Sequence, residues 1–145
     1  MAGSAVAGCA FCAVVGGAEH HAIHRDEDVV AFLDHAPVLP GHTLVVPTTH
    51  YETIEDMPDE ALGPLFGAVK RVSRAFGTAL GAEGSLTLSN TRISQSVPHV
   101  HVHVVPRRKG DGLFSPGRPF WMRYKYKPGE AEAIADKLRA ALAKP

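Results

Sequence analysis

Pro98-His99-Val100-His101-Val102-His103-Val104-Val105-Pro106 sets three histidines at alternate positions in a run of valines. Successive side chains of an extended strand point to opposite faces. His99, His101 and His103 are therefore expected on one face, with Val100, Val102 and Val104 packed on the other. An imidazole changes charge near neutral pH and can act as nucleophile, base or metal ligand. Three on one strand point either to an imidazole-based enzyme site or to a histidine-rich strand that lines a core or holds a metal. A neutral imidazole can attack a phosphoryl or acyl centre and form a covalent intermediate, while its neighbours bind charged oxygens or supply protons.

Outward from this strand the pattern is that of an α+β protein. Val29-Val30-Ala31-Phe32-Leu33-Asp34 reads as a strand ended by Pro37 and Pro40-Gly41, and His42-Thr43-Leu44-Val45-Val46-Pro47 as a second. From Pro58 to Leu80 the period becomes helical, with Leu62, Leu65, Phe66, Val69, Val72, Phe76 and Leu80 on one side. Pro64 interrupts that pattern and predicts a kink or a late start, because proline removes an interior hydrogen bond. Ser85-Leu86-Thr87-Leu88-Ser89-Asn90 alternates as a third strand, and Thr91 to Pro98 is a loop. Residues 107–127 are irregular. A terminal helix is predicted over 129–143, with Ile134, Leu138 and Leu142 in step. Strand pairs broken by one long helix, without βαβ alternation, favour an antiparallel sheet.

Length and composition fit one soluble globular domain over 1–145, with 1–8 as a flexible lead-in. The 15 basic and 15 acidic residues cancel, so overall charge points to neither nucleic acid nor membrane. The start of the chain lacks the basic region of a signal peptide, and no stretch is long enough for a membrane span, which makes a cytoplasmic location the expectation. Nine histidines stand out. Four of them, His20, His21, His24 and His35, are expected at the surface, His35 with the alternative of lining a pocket. Cys9 and Cys12 are the only cysteines and cannot make a disulfide framework. Their spacing suits a redox pair, two inert thiols, or half of a zinc site. Residues 107–127 carry seven Lys or Arg against the single acid Asp111, interleaved with Phe114, Phe120, Trp121, Tyr124 and Tyr126. That segment reads as aromatic anchoring combined with a cationic rim for polyphosphate, with a nucleic-acid strand as the less favoured alternative.

Gln95-Ser96-Val97-Pro98 followed by the histidine strand and Arg107 resembles the signature of the histidine triad (HIT) family. Cys9-Ala10-Phe11-Cys12, Ala31-Phe32-Leu33-Asp34, Pro40 to Pro47 and His50-Tyr51 resemble, in order, that family's N-terminal start and central block. The resemblance implies a HIT-like fold and a nucleotide hydrolase or transferase, generally dimeric, acting at the α-phosphate of diadenosine polyphosphates or nucleoside phosphoramidates. It implies His101 as nucleophile, with His103 and His42 holding the phosphate oxygens. Ser96 and Gln95 fall near the phosphate and leaving group, Asn90 upstream of the triad, Asp34 on the ribose hydroxyls, and Phe32 and Ile23 as walls of the base pocket. It also implies a structural zinc ion on Cys9, Cys12, His50 and His99. Two other readings keep the same residues: a hydrolase of adenylated nucleic-acid ends, and a nucleotide-binding or scaffold protein. The resemblance departs at Asn90-Thr91-Arg92-Ile93-Ser94-Gln95, which is short and lacks the family's two loop glycines. Arg92 could there contact an anionic leaving group.

Overall fold

The computed structural model describes residues 5–18 and 21–144. His20 and the first four residues of the predicted lead-in lie outside them. Five strands form one sheet in the order β1-β2-β3-β5-β4: β1 (Ala22–Arg25), β2 (Val29–Leu33), β3 (Thr43–Pro47), β4 (Gly84–Leu88) and β5 (Val102–Arg107). Every pairing is antiparallel, as expected for this α+β chain. Three helices complete the fold: α1 (Ala10–Val15), α2 (Asp59–Leu80) and α3 (Glu130–Leu142).

Alternation within the central strands divides the core. Val29, Ala31, Leu33, Val45, Val102 and Val104 face α2 and α3, where they meet Leu65, Val72, Phe76 and Leu138. Burial of a side chain such as Phe76 contributes about 2–3 kcal/mol by area. Val30, Phe32, Leu44 and Val46 face the other way and pack with Phe11 and Val14 of α1. The register aligns Phe32, Leu44, His103 and Leu88 in one row across the sheet. His103 thus emerges on the α1 side because Val102 and Val104 are claimed by the helices.

Several details differ from the sequence expectations. Helix α2 begins at Asp59, before Pro64 rather than after it. Pro64 and Glu60 are both exposed, so the carbonyl that Pro64 leaves without a donor is on the solvent side. Phe66 is 39% exposed and sits off the buried stripe, which runs through Leu65, Ala68, Val69, Val72 and Phe76. Strand β1 and helix α1 were not anticipated, being short and without a clear period. The histidine run enters the ladder only at Val102, leaving His99 and His101 in the extended approach to β5. Residues 108–127 hold no regular strand or helix, as expected.

Candidate active site and metal centre

Three buried histidines, His42, His101 and His103, stand together where β3 and β5 pair. The Val38 amide N–H donates to His42 Nδ1 at 3.1 Å. A backbone amide can only donate, so His42 carries its proton on Nε2. That proton is given to His103 Nδ1 at 2.9 Å, which leaves the N–H of His103 on Nε2. Burial, with Arg123 and His101 nearby, lowers the His42 pKa to about 3. Burial and the neighbouring His42 likewise lower His103 to about 3. Both rings are neutral at pH 7, and the relay ends in one N–H donor.

His101 has the complementary arrangement. Its Nδ1–H donates to the main-chain carbonyl of His99 at 2.8 Å, so its Nε2 keeps a lone pair. Burial again lowers its pKa, opposed by its hydrogen bond to the His99 carbonyl. The rings of His101 and His103 lie 5.0 Å apart. A base and a hydrogen-bond donor therefore stand side by side on one wall.

That wall closes a cavity of about 190 Å³ lined by Phe11, Phe32, Asp34, Leu44, Ser96, His101, His103 and Arg123, among others. Phe11 packs edge-on against His101 with centroids 4.9 Å apart and against Phe32 at 5.5 Å. Asp34 is buried beside His42 and His103, its carboxylate within 4.8 Å of a ring nitrogen of each. Its Oδ1 accepts from the Ala36 amide at 3.0 Å and its Oδ2 from Arg123 Nη1 at 3.3 Å. A larger depression of about 700 Å³, lined by Glu27, Thr48, Tyr51 and Pro64 among others, contains none of these histidines. Volume alone would select it. The chemistry selects the smaller cavity.

The other residues expected at the site fare differently. Ser96 and Phe32 line the cavity, and His35 stands at its rim with its side chain 86% exposed. Ile23 does not line it. Ile23 is buried on the helix side of the sheet, opposite its neighbour Ala22, which packs on the α1 side. Asn90 Nδ2 donates to the Ser94 carbonyl at 3.1 Å. Gln95 Nε2 donates to the Glu52 carbonyl at 2.6 Å, and Gln95 Oε1 accepts from the Arg92 amide at 2.8 Å. Both side chains brace the 90–96 loop and neither lines the cavity. Arg92 is paired with Glu55, away from the site. Arg92 and Ser94 take positive φ angles of 65° and 62°, at the stretch where glycines are missing.

Sequence reasoning had not placed Trp121 or Arg123 individually. The 107–127 segment returns to the histidines: Trp121 lies 5.1 Å from His103 and is stacked 6.5 Å from His42, centroid to centroid. Arg123 sits 5.2 Å over the Trp121 ring. Interleaved aromatic and basic residues were the only signal, and they did not say which would turn inward.

Beside the cavity, Cys9, Cys12, His50 and His99 bring four ligand atoms within 4.8 Å of one another. His99 Nε2–H donates to the Pro47 carbonyl at 2.9 Å, which leaves a lone pair on Nδ1. That nitrogen faces Cys9 Sγ at 3.5 Å, Cys12 Sγ at 3.6 Å and His50 Nδ1 at 3.1 Å. Cys12 Sγ is 3.2 Å from His50 Nδ1. A tetrahedron with Zn–N near 2.0–2.1 Å and Zn–S near 2.3 Å has edges of roughly 3.3–3.8 Å. The donor set and its spacing fit such an ion, and a fixed second hydrogen bond on a ligating histidine is the usual outer support. Burial raises the Cys12 thiol pKa, which a bound cation would reverse. Asp34, His42 and His103 also cluster, but both nitrogens of His42 are already occupied within the protein.

The buried relay and its cavity set an unprotonated imidazole nitrogen beside a fixed N–H donor. The HIT domain model matches residues 16–110, and the chain belongs to the HIT family. It is 37% identical over 141 residues to the protein hit of Bacillus subtilis, covering 93% of this chain and 94% of that one. It is 30% identical over 137 residues to the adenosine 5'-monophosphoramidase hnt1 of Schizosaccharomyces pombe, covering 92% and 98%. Among solved structures, a Zn-bound histidine triad family protein from Mycobacterium smegmatis superposes with a TM-score of 0.80 at 37% identity, covering 94% of each chain.

Proposed function

We propose that this protein is a nucleotide hydrolase that cleaves at the α-phosphate through a nucleotidyl-histidine intermediate. The observation that carries this reading is the pairing of an unprotonated His101 Nε2 with a protonated His103 Nε2 on one wall of the cavity. The activity named for the fission-yeast relative supports the same class of chemistry.

In the first step His101 Nε2 attacks the α-phosphorus. The bond from phosphorus to the leaving oxygen or nitrogen breaks, and its electron pair departs with the leaving group. Solvent at the exposed Ser96 side protonates that group. His103 Nε2–H donates to a non-bridging oxygen as charge spreads over the phosphoryl group, and His42 fixes the direction of that donor. Such preorganised donors are commonly the largest electrostatic contribution. Water then attacks phosphorus, the bond to His101 breaks, and the lone pair returns to Nε2. The released nucleoside monophosphate gives up the water's second proton to solvent. Asp34 accepts from the ribose hydroxyls, while Phe11 and Phe32 flank the base.

Cys9, Cys12, His50 and His99 are the proposed zinc ligands, supported by their geometry and by the Zn-bound relative. The ion supplies a structural cross-link and no redox chemistry. The chain is also proposed to form a homodimer, which would cover an exposed sheet edge such as β4.

The test is monophosphate release from a diadenosine polyphosphate and from an adenosine phosphoramidate, by the wild type and by His101→Ala. Release by the wild type alone supports the reading. Release by both proteins, or by neither, rejects it.

A further inference from the structure

Two acceptors stand near the Nε2–H of His42. His103 Nδ1 lies at 2.9 Å and Asp34 Oδ2 at 3.8 Å. A carboxylate is the stronger acceptor of the two. A small turn of the ring would hand the proton to Asp34, and His103 would lose the bond that sets its own N–H on Nε2. The ring is held toward His103 from its other nitrogen, where the Val38 amide N–H meets Nδ1 at 3.1 Å. The orientation of one peptide therefore decides which way the relay runs.

That N–H shares a peptide unit with the Pro37 carbonyl, and the segment after Leu113 grips the unit from outside. The Tyr124 amide donates to the Pro37 carbonyl at 2.6 Å. A bond at the carbonyl end of a peptide polarises its N–H end, so Tyr124, the Pro37–Val38 peptide, His42 and His103 form one chain of donors. Arg118 takes the next carbonyl. Its Nη2 donates to Val38 at 3.0 Å and its Nη1 to the Leu113 carbonyl at 3.2 Å. The planar fork of a guanidinium suits two such acceptors at once. The Val38 side chain is fully buried against Val105 and Leu113. At the far end of the turn, the Gly41 amide donates to Tyr126 Oη at 2.9 Å.

We propose that Arg118 is a positioning residue for the relay: through the Val38 carbonyl it fixes the Pro37–Val38 peptide, which keeps the His42 Nε2–H on His103 instead of Asp34. Arg118 does not line the cavity and acts only through these main-chain groups. The catalytic consequence rests on the nucleotide-hydrolase reading above. The effect on the rings does not.

The experiment records long-range 1H–15N spectra of the histidine rings at neutral pH, beside kcat and KM for monophosphate release, for the wild type, Arg118→Ala, Arg118→Gln and Arg118→Lys. The wild type is expected to show His103 as a single tautomer protonated on Nε2. Arg118→Ala is expected to mix the two His103 tautomers and to lower kcat about ten- to a hundredfold, with KM changed less than about twofold. Arg118→Lys keeps a donor for the Val38 carbonyl and is expected to restore most of both readouts. A kcat that falls while His103 keeps one tautomer overturns the proposal, as does an unchanged kcat or a wild-type His103 not protonated on Nε2. A loss of stability with both readouts intact overturns it too. If Arg118→Ala does not fold, Arg118→Gln, too short to span both carbonyls, takes its place under the same criteria. If the wild type releases no monophosphate, the spectra decide alone. Tautomers that mix only in the variants sustain the positioning role while the hydrolase reading fails, and one tautomer throughout rejects both.

Discussion

His101 Nδ1–H donates to the main-chain carbonyl of His99 at 2.8 Å, while the side chain of His99 turns into the Cys9, Cys12 and His50 cluster. One residue therefore orients the His101 ring with its backbone and joins the candidate metal centre with its imidazole. His101→Ala removes the lone pair without touching either partner. Turnover is expected to fall at least about 10³-fold with little change in unfolding midpoint. Assay of monophosphate release beside a thermal melt checks both halves.

Metal removal should reach the cavity through Phe11. The two cysteines bracket this residue, whose ring packs on His101 and Phe32. Chelation, or Cys12→Ala, is expected to lower the melting midpoint by several degrees and to weaken AMP binding about tenfold or more. Elemental analysis should find one zinc ion per chain before treatment. Unchanged AMP affinity in the zinc-free protein would sever α1 from the nucleoside pocket.

Acid should destabilise the fold through the relay. His42 and His103 each have a folded pKa near 3 against 6.5 in the unfolded chain. Between those values the unfolded chain binds more protons, so stability rises with pH and is lost as pH falls below 6.5. The slope is up to about 1.4 kcal/mol per pH unit for each histidine. Urea midpoints from pH 4.5 to 7 measure it, and His103→Asn should flatten the dependence.

Gly41 is the glycine that the site cannot exchange. Its φ is +95°, and a Cβ there would lie 2.9 Å from Leu80 Cδ1 and 3.0 Å from Pro106 Cγ. Gly41→Ala is expected to cost about 1–3 kcal/mol in stability. It should also reduce turnover, because Gly41 precedes His42 and bonds Tyr126. Denaturant titration and kinetics on the same variant test the pair.

The loop that lacks glycines should gain from one. Ser94 holds a φ of 62° without a side-chain reason for it, and L-residues there cost about 1–2 kcal/mol. Ser94→Gly is expected to raise stability by about 0.5–1 kcal/mol, after the entropy cost of glycine. Arg92→Gly should gain less, since it also gives up the exposed pair with Glu55. Chemical denaturation resolves either change.

Much of this was legible in the chain. The alternation of Val100, Val102 and Val104 marks a helix-covered face, and the His42 to Pro47 run is the strand the structure contains. Cys9, Cys12, His50 and His99, widely spaced in sequence, converge as the family resemblance implied. Short elements were not legible: α1 has six residues and β1 four, too few for a period to appear. Ile23, which the resemblance implied as a pocket wall, lies in the helix-side core, and its residue type alone does not say which side of the sheet it takes. Asn90 and Gln95 were polar residues next to a site, and only their carbonyl partners reveal that they brace a loop.

The sequence by itself determined the strand pattern, the apolar faces and the identity of the histidines, because these depend on residue type and local period. Tertiary structure decided the rest. Each imidazole has two nitrogens, and which one carries the proton depends on the main-chain group the fold sets against it: Val38 for His42, Pro47 for His99, and the His99 carbonyl for His101. Only packing decides that Trp121 and Arg123, more than fifteen residues beyond the triad, return to cover it. The bond of His99 to Pro47 and the return of Trp121 and Arg123 are relations between elements, and no single segment encodes them.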